Sequence, residues 1–125
     1  MEILTLGVTQ YTPEIKLDPV GTVSMVGKSY PENTFEFYKP VMDWMEEYFE
    51  GNAAEKTVVN MEIIYFNSSS SKLFFDFFDL LDENREKNTI EVNWIYDEEN
   101  ESALEAGEDF IDDFEHLTIN LVVKK

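Results

Sequence analysis

An abrupt change of periodicity in the middle of the chain most constrains the fold. Residues 56–65 form an apolar run rich in β-branched side chains, which is typical of a buried β-strand. After four consecutive serines, Phe74, Phe77 and Leu81 recur at helical spacing, which predicts a helix over residues 69–86. A strand followed at once by a helix is the repeating unit of parallel α/β proteins.

The same alternation of strands and helices continues to the carboxyl end of the chain. The predicted elements are a strand at 89–96, a helix at 98–113 and a strand at 117–123. A helix between two strands returns the chain to the end of the sheet where the first strand began. We therefore expect parallel pairing of the last three strands, joined by right-handed crossovers.

The amino-terminal third should add antiparallel strands at one edge of the sheet. Residues 14–28 alternate on both sides of an Asp18-Pro19-Val20-Gly21 turn, which predicts a β-hairpin. Asn33 is placed to cap a helix that runs to about Glu50, and Pro40 should kink or restart that helix. The predicted fold is α/β, one domain over residues 1–125, with a mixed, mostly parallel sheet and three main helices.

Charge and composition exclude several functions. Twenty-seven acidic and nine basic residues give a formal net charge of −18, which repels nucleic acid backbones. The chain contains no cysteine, so thiolate chemistry is excluded, and the one histidine, His116, has no neighbouring ligand pattern. Neither acidic run has the spacing of an EF-hand loop. We expect no cofactor or metal, no membrane insertion and a cytoplasmic location, since neither a signal peptide nor a spanning segment is apparent.

The serine run between strand and helix is the leading candidate for a functional site. Ser68 is predicted to be the N-cap of the following helix, and capping alone would explain one or two serines. Four in a row invite a second explanation. A phosphate on Ser68 would lie beside free backbone amides and the positive end of the helix dipole. We therefore predict a phosphorylation switch.

One face of the following helix combines hydroxyl and aromatic groups. Ser68, Ser71 and Phe75 should share this face, with Phe75 pointing away from the core and Phe78 at the border. Lys72 would lie one turn above Ser68, close enough to pair with an added phosphate. This mixed face is a predicted docking surface for a protein partner.

Several segments together resemble a known family. They are Thr9 to Glu14, Ser29 to Asn33, Asp43-Trp44, Tyr65 to Lys72, Trp94 to Asp97 and Ala106 to Phe110. In order and spacing they resemble the SiaC-type regulatory phosphoproteins of bacterial biofilm and aggregation control, over nearly the whole chain. The resemblance implies a STAS-like fold, similar to the antagonists of anti-sigma factors.

The resemblance also implies a partner switch. In that family a serine/threonine kinase phosphorylates the hydroxyl residue after the asparagine of an Asn-Thr-Ser-Ser motif, and a PP2C-type phosphatase reverses the reaction. The unmodified protein binds and activates a diguanylate cyclase, which raises cyclic-di-GMP. By position the modified residue here is Ser68, where the family more often has threonine. The residues expected to compete with it or to shape the recognition surface are Asn67, Ser69, Ser70, Ser71, Lys72 and Phe75.

Three other functions are compatible with parts of the sequence. The same switch could act in an anti-sigma-factor antagonist that controls transcription. Ser68 with Lys72 as base could form a small hydrolase, although no glycine-flanked nucleophile elbow surrounds the serine and the lysine would have to be desolvated. The acidic surface could also mimic nucleic acid, but a defined serine cluster is not required for that.

Overall fold

The structure, a computed structural model, describes residues 1–124 as six strands and three helices. In chain order the elements are β1 (Leu4–Leu6), β2 (Glu14–Asp18), β3 (Thr22–Ser29), α1 (Thr34–Phe49), β4 (Lys56–Phe66), α2 (Ser68–Glu83), β5 (Thr89–Asp97), α3 (Glu101–Asp113) and β6 (Thr118–Lys124). Within these residues, no helix combines the length and the apolar character that crossing a bilayer requires.

The strands form one sheet whose spatial order equals their order in the chain. Strands β1, β2 and β3 pair antiparallel, and β3 to β6 pair in parallel. The predicted hairpin and the parallel pairing of the last three strands are confirmed. Strand β1 was not predicted, because it has three residues and its order comes from pairing with β2, as at Leu4 and Leu17, and not from a local pattern.

The helices pack on one face of the sheet. From β3 to β6, each new strand is added at the same edge of the sheet. Right-handed crossovers in one direction place all three connecting helices on the same face. Strand β4 buries alternate residues there, including Val59, Met61 and Ile63. The opposite face carries a row of amides, in which Asn93 Nδ2 donates to Asn60 Oδ1 at 2.9 Å and Asn120 Nδ2 donates to Asn93 Oδ1 at 3.1 Å.

Asparagine side chains set the starts of the helices. Asn33 caps α1 as predicted, since its Oδ1 accepts the Glu36 amide at 3.1 Å. Asn100 caps α3 in the same way, so α3 begins at Glu101 and not at residue 98. The acidic residues before Asn100 form a turn instead. Helix α1 runs through Pro40 as one helix, so of the two predicted outcomes, a kink or a restart, the restart is wrong.

A close approach of α3 to the sheet fixes the carboxyl-terminal half of the core. A Cβ added to Gly107 would lie 2.6 Å from Trp94 Cδ1 and 2.7 Å from Leu121 Cδ2, so only glycine fits. Trp94 is fully buried and its indole nitrogen donates to the Ala103 carbonyl at 2.8 Å. Leu104 is only half-buried, because α3 turns its Gly107 side to the sheet.

Candidate functional site

The predicted switch lies at the amino terminus of α2, where the capping residue differs from the prediction. Asn67, not Ser68, is the N-cap, and its Oδ1 accepts the Ser70 amide at 2.9 Å. Its backbone is extended, with φ −88° and ψ 178°, and continues the direction of β4. Ser68 is therefore the first helical residue, and its hydroxyl is not needed for the cap.

Beneath this turn lies a buried chain of hydroxyl groups. The Ser70 hydroxyl is 2.7 Å from the Ser29 hydroxyl, which is 2.6 Å from the Tyr38 hydroxyl. The Asn67 amide donates to the Ser29 carbonyl at 3.2 Å, which ties the turn to the end of β3. Ser70 is 0 % exposed. Its predicted place on the recognition surface is therefore wrong, because its side chain holds α2 onto β3 and α1.

The buried hydroxyl chain is uncharged at physiological pH. Burial raises the pKa of Tyr38 to about 12, and the hydrogen bond with Ser29 offsets only part of that increase. Within residues 1–124, every buried side-chain nitrogen or oxygen has a hydrogen-bond partner. The lower side of the α2 turn is thus a satisfied polar contact, which costs little to bury.

The upper side of the same turn forms one wall of a groove between α2 and α3, of about 610 Å³. Ser68, Ser71, Lys72 and Phe75 form this wall, so the structure brings together the side chains that helical spacing grouped. Ser68 is exposed and Ser71 is half-buried. Ser69 is also exposed but does not line the groove.

The groove has an aromatic surface at its centre. Phe75 is 43 % exposed, and its ring centroid lies 4.9 Å from that of Phe114. Phe78, predicted at the border of the buried face, is instead fully buried against Phe110, with 4.7 Å between ring centroids. The reason is that α3 and the residues after it cover this side of α2. Phe75 is thereby supported from below and open to a partner from above.

Among residues 1–124, Lys72 is the one basic residue in the lining of the groove. Its Nζ lies 3.8 Å from Asp76 Oδ2 and 5.9 Å from the centroid of the exposed Phe35 ring. The side chain is 69 % exposed, so it keeps most of its hydration and its freedom to move. It can reach toward an anion one helical turn away without breaking a buried contact.

The opposite wall, on α3, is acidic. Glu105, Asp109 and Asp113 line it at intervals of four residues, beside Ser102. Their four-residue spacing in the sequence is the signal that these carboxylates share one surface of the helix. Within residues 1–124, no group of three or more histidine and acidic side chains could hold a metal ion. With an exposed aromatic ring between two polar walls, the groove is suited to binding a protein surface.

Comparison with known sequences finds one matching family and a close relative. Residues 6–124 match the family described as SiaC family regulatory phosphoprotein. The uncharacterized protein PA14_02130 of Pseudomonas aeruginosa strain UCBPP-PA14 is 37 % identical over 107 residues, which cover 84 % of each chain.

Comparison with solved structures finds the same architecture. SiaC of Pseudomonas aeruginosa superposes with a TM-score of 0.90 at 31 % identity, over 99 % of this chain and 100 % of that chain. A second match, also with a TM-score of 0.90, comes from a crystal structure of the diguanylate cyclase SiaD in complex with its activator SiaC. It is 32 % identical and covers 97 % of this chain and 99 % of the other.

Proposed function

This chain belongs to the SiaC family of regulatory phosphoproteins, and on that premise we propose that it is a non-catalytic, phosphorylation-controlled activator of a diguanylate cyclase. Residues 1–125 would act as one domain in the cytoplasm, and the unphosphorylated form would bind the cyclase and raise cyclic-di-GMP. The observation that carries the proposal is the full-length structural match to SiaC, which is an activator in its complex with SiaD.

Ser68 is the proposed phosphorylation site, and the exposure of the four serines supports this choice. Ser70 is fully buried and Ser71 half-buried, which disfavours access by a kinase. Ser68 and Ser69 are both exposed, but only Ser68 lines the groove. A phosphate on Ser68 would therefore change the groove directly, whereas one on Ser69 would lie outside it.

The added phosphate should release a partner without unfolding the protein. It adds about −1.5 to −2 charges at neutral pH. The α2 dipole and Lys72 can accommodate this charge locally. A partner in the groove would instead meet a hydrated dianion facing three carboxylates on the other wall. Burying an unpaired charge at an interface costs roughly 2–5 kcal/mol, or about thirtyfold to several thousandfold in affinity.

A serine/threonine kinase and a PP2C-type phosphatase complete the proposed switch. Both enzymes need the Ser68 side chain to be accessible, and it lies on the surface at the start of a helix. Asn67 presents the residue by capping that helix, and Ser69, Lys72 and Phe75 flank it. Hydrolysis by Ser68 itself is not favoured, because Lys72 is largely exposed and ion-paired to Asp76, and is not desolvated as a lysine base must be.

Phosphopeptide mapping tests the assignment of the site. The purified chain is incubated with its cognate kinase and ATP, and intact mass and peptide spectra are recorded before and after PP2C phosphatase. One phosphate on Ser68 is expected, with none on the Ser68→Ala variant. Equal labelling of Ser68→Ala and wild type would contradict the assignment and would leave the cyclase proposal standing.

Affinity for the cyclase tests the mechanism, and Ser69 offers a matched control. Ser68→Asp should weaken binding to the diguanylate cyclase of the same organism by about thirtyfold or more, and should reduce cyclic-di-GMP synthesis in parallel. Ser69→Asp adds the same charge one residue away and should change affinity by less than about threefold. Equal losses for both variants would show that overall charge, and not the groove, controls binding.

A further inference from the structure

A second candidate binding site lies outside the groove, at the carboxyl ends of β3 and β4. Three tyrosine rings meet there edge to face: the Tyr11 and Tyr30 centroids are 5.3 Å apart and the Tyr30 and Tyr65 centroids 5.5 Å apart. Tyr11 and Tyr65 are each more than half exposed. Tyr11, Tyr30 and Glu32 line a cavity of about 350 Å³, which we call the tyrosine corner pocket.

The chemistry of this pocket fits a cation. The Tyr11 and Tyr30 rings are nearly perpendicular, at 84°, so they form two walls of a corner. Aromatic ring faces attract ammonium and guanidinium groups, and a carboxylate adds a charge-assisted hydrogen bond. Among residues 1–124, Glu32 has no lysine or arginine nitrogen within 4.0 Å. Its charge is therefore available to a group from outside.

The pocket is held in place before any ligand arrives. The Tyr30 amide donates to the Tyr11 carbonyl at 2.8 Å, and the Thr9 hydroxyl oxygen accepts the Tyr11 amide at 3.1 Å. Gly27, at φ +136°, lets the loop at Pro13 pack closely on β3, where an added Cβ would lie 3.2 Å from Pro13 Cα. Rings fixed by their backbone lose little entropy on binding.

The charge of the whole molecule decides which ligand is favoured. With a formal net charge of −18, the surface attracts cations and repels anions over several ångströms. We propose that the tyrosine corner pocket binds an arginine or lysine side chain presented by a basic segment of a protein partner. It adjoins the switch, because Ser29 next to Tyr30 accepts the amide of Asn67. The proposal does not depend on phosphorylation or on the identity of the effector.

Titration with a small probe tests the proposal on the full chain. N-acetyl-arginine methylamide is added to ¹⁵N,¹³C-labelled protein, with the neutral isostere N-acetyl-citrulline methylamide as control. Saturable shifts are expected at Tyr11, Tyr30, Glu32 and Tyr65 with the arginine probe, and none with citrulline. Shifts spread equally over the acidic residues of α3 would overturn the proposal, because they would indicate unspecific attraction.

Variants separate the two contributions to binding. Glu32→Gln and Tyr11→Leu each alter an exposed side chain, so the fold should survive both. Each should weaken the arginine probe about two- to fivefold, which is the range for a single exposed cation–π or charge contact. Tyr11→Phe keeps the ring and should bind as wild type. Unchanged affinity in both Glu32→Gln and Tyr11→Leu would refute the site.

Discussion

The two sides of the first turn of α2 contain the same kind of residue in opposite surroundings. On the lower side Ser70 is fully buried in a hydroxyl chain with Ser29 and Tyr38. On the upper side Ser68 lies in the open groove, on a helix that Asn67 already caps. The lower side binds the turn to the rest of the fold, and the upper side carries no structural contact that a modification would break.

This difference explains how a helix start can be both rigid and switchable. Hydrogen bonds beneath the turn fix the position of the exposed hydroxyl, so a kinase or a partner meets a preorganised surface. Since Ser68 contributes little to the fold, charge can be added there at little cost in stability. The following predictions test that separation, from the largest expected effect to the smallest.

A carboxylate introduced on each side should give the sharpest contrast. Ser70→Asp would bury a charge under the helix and should lower the free energy of unfolding by roughly 3–5 kcal/mol. Ser68→Asp places the same charge at the exposed start of a helix, where the dipole favours it by about 0.3–1 kcal/mol. Urea unfolding followed by tryptophan fluorescence measures both. A loss below about 1 kcal/mol in Ser70→Asp would break the comparison.

Alkaline pH should weaken the lower side through Tyr38. The pKa of Tyr38 is raised to about 12 in the folded state from 10.0, so the folded chain keeps a proton that the unfolded chain releases. Stability from this residue is complete below pH 10 and is lost as pH rises from 10 to 12. The loss approaches about 3 kcal/mol for two pKa units.

The Tyr38→Phe variant serves as the control for this pH dependence. It lacks the ionisable hydroxyl while Ser29 and Ser70 still bond to each other. The difference between wild type and Tyr38→Phe in denaturant midpoint should therefore shift in favour of the variant between pH 9 and pH 11. A constant difference over that range would show that Tyr38 ionises equally in both states.

Removing single hydroxyl groups should give a smaller contrast. Ser29→Ala leaves the Tyr38 and Ser70 hydroxyls without their shared partner in a buried site, which should cost about 1–3 kcal/mol. Ser68→Ala, on the exposed side, should change stability by no more than about 0.5 kcal/mol. Thermal unfolding by circular dichroism compares them. Equal losses of stability in Ser29→Ala and Ser68→Ala would contradict the view that only the lower side of the turn supports the fold.

The smallest effect concerns Lys72. Its exposed i,i+4 pair with Asp76 should contribute only about 0.3–0.5 kcal/mol, so Lys72→Ala should leave the unmodified protein almost unchanged. In the Ser68→Asp background, Lys72→Ala should lower the free energy of unfolding by a further amount of about 0.2–0.5 kcal/mol, since Asp at position 68 and Lys72 are one helical turn apart. A double-mutant cycle on unfolding free energies measures this coupling, and a coupling of zero would remove Lys72 from the site.

Much of the fold followed from local patterns. The hairpin, the central strand and the helix over Phe74, Phe77 and Leu81 were predicted because alternation and helical spacing are properties of neighbouring residues. Element boundaries were less accurate: α3 begins at Glu101, three residues later than predicted, because Asn100 caps it. Strand β1 was missed because its order depends on a partner strand.

The candidate site shows the same division. Spacing alone placed Ser68, Ser71 and Phe75 on one helix face, and the structure brings them into one groove. Spacing could not show that α3 forms the other wall, or that Phe78 is covered by Phe110. Those contacts join residues about thirty positions apart, and only the packing of two helices decides them.

The amino-acid sequence alone determined that the four adjacent serines cannot all have the same exposure, since consecutive residues of a helix point to different sides. It also determined the acidic charge and the strand–helix order. Only the tertiary structure decided which serine is buried and which is exposed. Ser29 and Tyr38 lie 41 and 32 positions before Ser70, and long-range packing beneath the turn is what buries one hydroxyl and leaves Ser68 free.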